Sequence, residues 1–398
     1  MNIRHDLPHS TFAASCAICG QSSNDILYQN TVGSTGAVIT IVQCDGCGNA
    51  YNSPRPSPEN YATFYGEGLE TSAVVFRESG EGTHYDLRNQ ERLDFFLTSE
   101  DLSRAGIHVD IGSGTGQWLK LMKRARPNLR HLGVEPSHAA VAELSGHGFE
   151  MILGGWEELE KIEQLVSVVS LISVLEHLVD PRGALELVRE KLDPQGMLLL
   201  EVPNTLNPVF SCGGYFSPEH IIHFSPHTLA KLLGVAGFYV DSIDQNCSDA
   251  VRVVAKPLQK GHKGVEIFSD TDRLSYAIRE FQVSEKARTE SIVDQVREFM
   301  SDTREEGGQL CVYGAGVHTV ELIAQLSPED LVYIDFFVDG DPVKQSKPFY
   351  GRQVVSPELL PSLAPAGIII SSQRFRLEIH GLLDRMFGGQ KPRVLDFG

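Results

Sequence analysis

A short glycine-rich stretch is the first feature of this sequence that could do chemistry. It reads Val109-Asp110-Ile111-Gly112-Ser113-Gly114-Thr115-Gly116, and an acidic residue, Glu135, follows about 20 residues later. Glycines let a backbone approach a ligand closely at the carboxyl end of a strand, where open α/β sheets bind ligands. A carboxylate at this distance can accept hydrogen bonds from both hydroxyls of a ribose. The stretch therefore predicts a site for a nucleoside-containing ligand.

Three histidines and a glutamate form a second group with chemical potential. His220 follows Glu219 directly, His223 lies three residues further on, and His177 lies near the end of an earlier apolar run. A histidine can take up a proton near neutral pH when a carboxylate orients its ring. We predict His220 as a general base, with Glu219, His177 and His223 as further catalytic candidates. A purely structural role, in which His220 only hydrogen-bonds a loop, stays open.

Four of the seven cysteines occur as two close pairs. The pairs are Cys16 with Cys19 and Cys44 with Cys47, and each is followed by a glycine. Two residues between cysteines allow a tight turn to direct both thiolates at one ion, and four thiolates match a closed tetrahedral zinc site. We therefore predict a structural zinc ribbon. The scattered cysteines, Cys212, Cys247 and Cys311, are predicted to be small core residues.

The elements that must position these residues follow from the hydrophobic pattern. Prolines at residues 53–58 predict an extended connector after the ribbon, then a helix over Glu59 to Phe64 and a glycine-rich lid up to about Arg88. Apolar strands then alternate with amphipathic helices, which predicts a parallel sheet covered on both faces. The predicted elements are strands His108–Ile111, His131–Val134, Val166–Ile172, Met197–Val202 and Leu310–Tyr313, and helices Asn89–Leu97 and Phe268–Glu305.

Four ordered motifs carry a resemblance to a known family. The glycine stretch is followed by Glu176-His177-Leu178-Val179-Asp180-Pro181, then by Leu192-Asp193-Pro194-Gln195-Gly196 and by Val202-Pro203-Asn204. In this order they resemble the class I S-adenosylmethionine-dependent methyltransferases, over roughly residues 85 to 255. The resemblance implies that Asp110, Gly112, Gly114 and Gly116 line the methionine and ribose part of the cofactor. It also implies that Glu135 holds the ribose and that Trp156 and Leu175 flank the adenine.

The whole chain is similar to a narrower family, the zinc-ribbon-containing sugar C-methyltransferases that act on nucleotide-linked keto-deoxysugars. Glu219-His220 match the Glu-His pair that supplies the base in that family, and His177 falls at another of its active-site positions. The sequence departs where family tyrosines are expected, because Ser217 occupies one place and only Tyr65 lies near the other. O-methylation of a sugar or of another natural-product hydroxyl therefore stays an alternative.

The resemblance implies an α/β protein of three domains. These are a zinc-binding ribbon at residues 1–66, a Rossmann-like class I methyltransferase domain at 67–258, and a helical connector with a second Rossmann-like α/β domain at 259–398. The last begins with the glycine turn Gly314-Ala315-Gly316 and carries Asp339 after its second strand. We expect this turn to hold the nucleotide diphosphate of the substrate, with Lys344, Lys347 and Arg352 nearby. A degenerate unit kept for packing is the alternative.

Composition limits the classes of partner. The formal net charge of -18 argues against a broad nucleic-acid surface, because phosphate backbones are bound by clustered Lys and Arg. No apolar run is long enough for a signal peptide or for a membrane span of roughly 20 residues, so we expect a cytoplasmic protein with a small-molecule substrate. Two other classes stay open: an NAD-dependent oxidoreductase that uses either glycine turn, and a non-enzymatic protein whose ribbon recruits a partner.

Overall fold

The computed structural model describes most of the chain. The described residues are 11–23, 25–31, 38–57, 84–98, 105–209, 215–261, 264–372, 375–388 and 392–397. The predicted helix from Glu59 to Phe64, the predicted lid as far as residue 83, and both Tyr65 and Cys212 lie outside these ranges. Within the described part of the chain, no helix combines the length and the apolar character that a membrane crossing needs.

Eighteen strands and eleven helices are described. The strands are β1 Thr11–Phe12, β2 Asp25–Thr31, β3 Val38–Gln43, β4 Ala50–Asn52, β5 Arg55–Pro56, β6 Gly106–Ile111, β7 Leu129–Glu135, β8 Glu150–Leu153, β9 Val166–Ile172, β10 Leu192–Pro203, β11 Ile222–His223, β12 Phe238–Ile243, β13 Ala250–Pro257, β14 Leu310–Tyr313, β15 Phe336–Val338, β16 Val354–Val355, β17 Gly367–Ile370 and β18 Arg393–Asp396. The helices are α1 His84–Phe96, α2 Gln117–Ala125, α3 His138–Gly146, α4 Pro181–Lys191, α5 Pro226–Val235, α6 Thr271–Glu305, α7 Val317–Ala324, α8 Pro328–Leu331, α9 Pro342–Gln345, α10 Leu360–Leu363 and α11 Arg376–Phe387.

A small antiparallel sheet carries the cysteine pairs. Its strand order is β11-β4-β3-β2, so a strand from the middle of the chain completes it. The strand β3 reads Val-Ile-Thr-Ile-Val-Gln and is mostly buried, as a β-branched run of this kind favours. One part of the sheet packs on the start of the long helix α6, where Tyr28, Ile41, Leu274 and Phe281 share one hydrophobic cluster.

The central sheet has seven strands in the order β12-β13-β10-β9-β6-β7-β8. The strands from β10 to β8 pair in parallel, and the predicted bounds of β9 are confirmed. The prediction of a wholly parallel sheet is wrong, because β13 pairs antiparallel with both β10 and β12. Only residues 244–249 connect β12 to β13, and a connection this short permits antiparallel pairing only.

The C-terminal part of the chain contains a second sheet. Its order is β16-β15-β14-β17-β18, and all its pairs are parallel. The predicted strand Leu310–Tyr313 is confirmed, and the predicted helix Phe268–Glu305 is a single helix that begins three residues later, at Thr271. Residues near the end of α6, including Val296 and Phe299, pack in the core of this second sheet.

Candidate active site

The glycine turn follows β6 directly, at the carboxyl edge of the central sheet. Gly112, Gly114 and Gly116 all adopt positive φ, but their surroundings differ. A Cβ atom on Gly112 would lie 2.5 Å from Val174, and one on Gly116 would lie 2.4 Å from Leu144. A Cβ on Gly114 would meet nothing within 4 Å. Gly112 and Gly116 therefore allow close packing, whereas Gly114 exposes its backbone to open space where a ligand can approach.

Glu135 lies at the end of β7 and supports this turn. Its Oε2 accepts a hydrogen bond of 2.8 Å from the Gly114 N–H, and its Oε1 accepts one of 2.9 Å from the Ser137 N–H. Burial raises the pKa of this carboxyl above its ordinary value, although both backbone bonds act in the opposite direction. A carboxylate has about four lone-pair sites, so Glu135 can hold the turn and still accept hydroxyl donors.

The other three predicted cofactor residues have different exposures. Asp110 is 2% exposed and its Oδ1 lies 2.6 Å from the Ser170 hydroxyl, so it lies beneath the turn. Trp156 is half-buried at the start of a short 3-10 helix, where a ring face can still receive a ligand. Leu175 is completely buried in the core, and as placed it has no exposed surface that an adenine could contact.

A cluster of three side chains lies where the turn after β9 meets the segment before β11. Glu176, His177 and His220 place their ligand-type atoms within 4.8 Å of one another, and the two histidine rings lie 4.6 Å apart between centroids. His177 Nδ1 donates a hydrogen bond of 3.1 Å to the carbonyl of Glu219. Because a carbonyl only accepts, the neutral ring carries its proton on Nδ1 and keeps a lone pair on Nε2, which lies 3.8 Å from Glu176 Oε1.

Burial sets the charge state of this cluster. It lowers the pKa of His177 to about 3, helped by the neighbouring charge of His220, and it lowers the pKa of His220 as well. Burial raises the pKa of Glu176 to about 8, and neither of its carboxylate oxygens has a hydrogen-bond partner among the described residues. Both imidazoles are thus neutral at pH 7, with lone pairs able to accept a proton.

Glu219 and His223 are the remaining catalytic candidates from the sequence. The carboxylate of Glu219 acts on His220 through its charge, which raises the pKa of His220 by less than burial lowers it. His223 is in β11, where it is 3% exposed and its Nε2 lies 2.8 Å from Asn52 Oδ1. It therefore joins the small sheet to the central segment and stands outside the Glu176, His177 and His220 cluster.

Tyr215 is a candidate that the sequence reasoning missed. Its hydroxyl is buried beside the Thr205 side chain, while its ring packs against Phe216 and Phe281. Burial and the charges of Glu176 and Asp249 raise the pKa of the phenol, and the hydrogen bond with Thr205 acts in the opposite direction. The signal was present, because this tyrosine precedes the Glu219-His220 pair by only four residues and the resemblance called for a tyrosine in that segment.

The cluster of Glu176, His177 and His220 is also of a type that can ligate a metal ion. Nitrogen and oxygen ligands at about 2.1 Å from one tetrahedral ion lie about 3.4 Å from each other. The distance of 3.8 Å between His177 Nε2 and Glu176 Oε1 is close to this value. These three residues are therefore compatible with a metal ion as well as with proton transfer.

The four paired cysteines offer zinc a more complete set of ligands, because four thiolates close a tetrahedral site. The Sγ atoms of Cys16 and Cys47 are 3.4 Å apart and those of Cys19 and Cys44 are 3.3 Å apart, and all four lie within 4.8 Å of one another. Thiolates on one zinc ion, at about 2.3 Å each, lie about 3.8 Å apart. The hydrogen bond from Cys47 lowers the pKa of Cys16 to about 5, while burial raises the pKa of Cys44 to about 11. Four thiols so close together cannot all ionise without a cation between them.

Metal analysis tests this ribbon. We expect about one equivalent of zinc per chain in the purified protein, and a loss of most of it in a Cys44→Ser variant, because three thiolates leave the tetrahedral site incomplete. Cys247→Ser is the matched control, since Cys247 lies far from the cluster in sequence and bonds Asp249. Less than about half an equivalent in the wild-type protein would count against a four-thiolate site.

The C-terminal glycine turn has an internal arrangement similar to that of the first. Asp339 Oδ2 accepts hydrogen bonds of 2.9 Å from the Ala315 N–H and from Lys344 Nζ. Arg352 donates to the backbone carbonyls of Ile334, Leu331 and Tyr350. Two of the cations that the sequence suggested for an anionic substrate are therefore engaged within the protein, Lys344 by a carboxylate and Arg352 by its own scaffold.

Comparisons with known proteins concern the central part of the chain. Residues 82–243 match the family model described as a methyltransferase domain. No curated protein matches the sequence. The matching region is less than half of the chain.

Solved methyltransferases are similar at low identity. The CcbJ methyltransferase from Streptomyces caelestis is 17% identical over 50% of this chain and 99% of its own, with a TM-score of 0.40. An S-adenosylmethionine-dependent methyltransferase from Clostridium acetobutylicum is 11% identical over 43% of this chain and 92% of its own, with a TM-score of 0.36. The plantazolicin methyltransferase BamL, solved with a triazolic desmethylPZN analog and SAH, is 14% identical over 50% of this chain and 94% of its own, with a TM-score of 0.40.

Proposed function

We propose that this chain is an S-adenosylmethionine-dependent methyltransferase that acts on a small molecule. The observation that carries the proposal is the contact between the two turns at the carboxyl edge of the central sheet. Gly112 packs against Val174, two residues before Glu176, so the turn proposed to hold the cofactor adjoins the histidine cluster. The match of residues 82–243 to a methyltransferase domain supports the same assignment.

The residues present fit S-adenosylmethionine. Gly114 exposes backbone at the turn, Glu135 has lone pairs for ribose hydroxyls, and Trp156 offers a half-buried ring for the adenine. The cofactor supplies a methyl group on a positively charged sulfur, which leaves as a neutral thioether. The protein's work is then to align the acceptor with that methyl group and to remove the acceptor's proton.

His220 is our proposed base. Its imidazole is neutral at pH 7 because burial lowers its pKa, so its lone pair is available without a prior deprotonation. His177, fixed by its hydrogen bond to the Glu219 carbonyl, packs against the His220 ring and restricts its orientation. Protonation of His220 is favoured by the charge of Glu219, which stabilises the imidazolium that proton transfer creates.

We propose a nucleotide-linked keto-deoxysugar as the acceptor, with methylation at carbon. The buried phenol of Tyr215 supports this, because it stands in the segment where the resemblance expects a tyrosine. The C-terminal turn around Gly314 to Gly316 is our proposed site for the nucleotide diphosphate. We also propose that the chain divides into three domains, with boundaries at residues 66 and 258. O-methylation of a sugar or of another hydroxyl is the alternative that uses the same base.

Calorimetric titration tests the function. We expect S-adenosylhomocysteine to bind with micromolar affinity, and Glu135→Ala to weaken that binding by about 100-fold or more, because two ribose hydroxyls and the turn lose a charged acceptor. Glu143→Ala is the matched control, since Glu143 is exposed on α3. A nucleotide-sugar panel then narrows the acceptor. Tight NAD binding without binding of S-adenosylhomocysteine would reject the proposal in favour of an oxidoreductase.

A further inference from the structure

A row of buried polar side chains crosses one face of the central sheet beneath the glycine turn. In the strand register His131 lies opposite His108, and Ser170 lies opposite Asp110. All four residues are less than 9% exposed. The row ends at the backbone carbonyl of Arg126.

Four hydrogen bonds connect this row. Asp110 Oδ1 to Ser170 Oγ is 2.6 Å, Ser170 Oγ to His108 Nε2 is 2.8 Å, His108 Nδ1 to His131 Nδ1 is 2.9 Å, and His131 Nε2 to the Arg126 carbonyl is 2.9 Å. These bonds join each side chain of the row to the next, and Ser113, which lies outside the row, also contacts Asp110. The number of protons available therefore decides which bonds can form.

Counting protons along the row gives a definite result. The Arg126 carbonyl only accepts, so His131 carries a proton on Nε2 and, as a neutral ring, a lone pair on Nδ1. His108 must then donate from Nδ1 and accept at Nε2, and the single Ser170 proton is used in that bond. The 2.6 Å contact between Ser170 and Asp110 then requires a proton on Asp110. Four bonds need four protons, whereas an ionised Asp110, one serine and two neutral histidines supply three.

The environment places the fourth proton on the carboxyl. Burial and the charge of Glu135 raise the pKa of Asp110 to about 7, although the hydrogen bonds of Ser170 and Ser113 and the charge of Arg92 act in the opposite direction. Burial lowers the pKa of His108 to about 3 and lowers that of His131 as well. An imidazolium in this row is therefore unfavourable at neutral pH, and a neutral carboxylic acid at Asp110 completes the row instead.

We infer that this row holds Asp110 as a neutral acid in the free protein, and that binding of the positively charged cofactor at the glycine turn expels its proton to solvent. The inference rests on the proposed function for the identity of the cofactor. The Asp110 O–H bond breaks, Ser170 turns to donate to the new carboxylate, and His108 donates to Ser170 from Nε2. The Nδ1 atoms of His108 and His131 then each direct a lone pair at the other, and neither histidine retains the proton released from Asp110. Ser170, His108 and His131 are thus positioning residues that link cofactor charge to proton release.

This linkage distinguishes the cofactor from its product. S-adenosylmethionine carries a sulfonium charge, which stabilises an ionised Asp110. This stabilisation offsets the loss of the hydrogen bond between His108 and His131. S-adenosylhomocysteine has a neutral thioether and gives less compensation. We expect the row to favour departure of the product, because Asp110 takes up a proton again once the sulfonium charge is lost.

Calorimetry in two buffers of different ionisation enthalpy, phosphate and Tris, measures the released protons. For a group with a pKa of about 7, we expect release of about 0.8 proton per S-adenosylmethionine bound at pH 6.5 and less than about 0.1 at pH 8.5. Affinity should fall about tenfold per pH unit below pH 6 and be constant above pH 8. Identical heats in both buffers at pH 6.5, with normal binding, would overturn the inference. Failure of S-adenosylmethionine to bind at all would reject the proposed function instead.

His131→Gln is the decisive variant. The glutamine amide has two protons, so it can donate to both Arg126 and His108, and the row is then complete with Asp110 ionised. We expect proton release at pH 6.5 to fall below about 0.2, with the pH dependence of affinity removed. Release that persists in this variant would assign the proton to Glu135 and overturn the inference. His147→Gln, at an exposed histidine of the same region, is the matched control and should release as the wild type does. If His131→Gln does not fold, Asp110→Asn carries the same test, because a permanent amide donor has no proton to release.

Discussion

Replacing His220 by Asn is expected to slow methyl transfer by about 100-fold or more while the affinity for S-adenosylhomocysteine stays within about twofold of the wild type. Asparagine keeps a polar side chain of similar size but has no lone pair basic enough to accept the acceptor's proton. The cofactor turn is untouched, because it is held by Glu135, Gly114 and the packing of Gly112 on Val174. Single-turnover rates and calorimetric titration together separate the two effects.

The pH profile gives this prediction a second readout. Burial lowers the pKa of His220 below 6.5, so the imidazole stays unprotonated and active as the pH falls through 6.5. We expect kcat to be level from pH 8 to below 6.5 and to decline only at more acidic pH, where the ring takes up a proton. His147→Asn is the control and should leave the profile unchanged. An unaltered rate in His220→Asn would remove this residue from the mechanism, and His177→Asn would then be examined as the base.

The second large effect concerns stability. Glu201, on β10, is completely buried and is surrounded by three arginines. Its carboxylate accepts hydrogen bonds from Arg92 at 2.7 and 2.9 Å, from Arg252 at 2.5 Å and from Arg88 at 3.3 Å. This network joins α1 to the central sheet. Replacing Glu201 by Ala is expected to reduce the free energy of unfolding by about 3–5 kcal/mol, because buried guanidinium groups lose their compensating charge.

The sign of the pH dependence follows from the same network. Burial alone would raise the pKa of Glu201, but the hydrogen bond and charge of Arg92, with the charges of Arg88 and Arg252, lower it to about 2. The folded state therefore favours the ionised carboxyl. Its stabilisation is fully present above the ordinary glutamate pKa and is lost as the pH falls towards about 2. Urea denaturation at pH 7 and pH 4 measures both effects.

Glu190→Ala is the control for this stability prediction. Glu190 is an exposed carboxylate on α4, so its removal should change the free energy of unfolding by less than about 0.5 kcal/mol. A loss of under about 1 kcal/mol in Glu201→Ala would mean that the three arginines find other partners or water, and that the network contributes little to the fold.

Several elements could be predicted from the sequence because their information is local. The bounds of Val166–Ile172 and Leu310–Tyr313 follow from short apolar runs between polar turns, and the structure has the same limits. The hairpin of β12 and β13 was missed, and with it the antiparallel part of the central sheet. Pairing direction depends on how a short connection returns the chain, which composition alone does not reveal.

For the candidate site, too, some features could be predicted from the sequence and others could not. The spacing of the paired cysteines and the order of the glycine and Glu-His motifs were enough to propose a metal ribbon and a cofactor turn. The sequence favoured His220 over His223 as the base but kept both as candidates, because both lie within four residues of Glu219. The structure separates them, since His223 is enclosed in β11 beside Asn52 while His220 packs against His177.

The sequence by itself thus determined which residue types were available and which turns could carry them, because spacing and periodicity are properties of a chain segment. Only the tertiary structure decided the surroundings of the ionisable groups: the Glu176 carboxylate has no hydrogen-bond partner among the described residues, Lys344 contacts Asp339, and Asp110 ends a row that needs one more proton. The physical reason is that pKa values depend on burial and on neighbours from distant parts of the chain. His177 and His220 are 43 residues apart, and it is the fold that partly buries both rings and places them side by side.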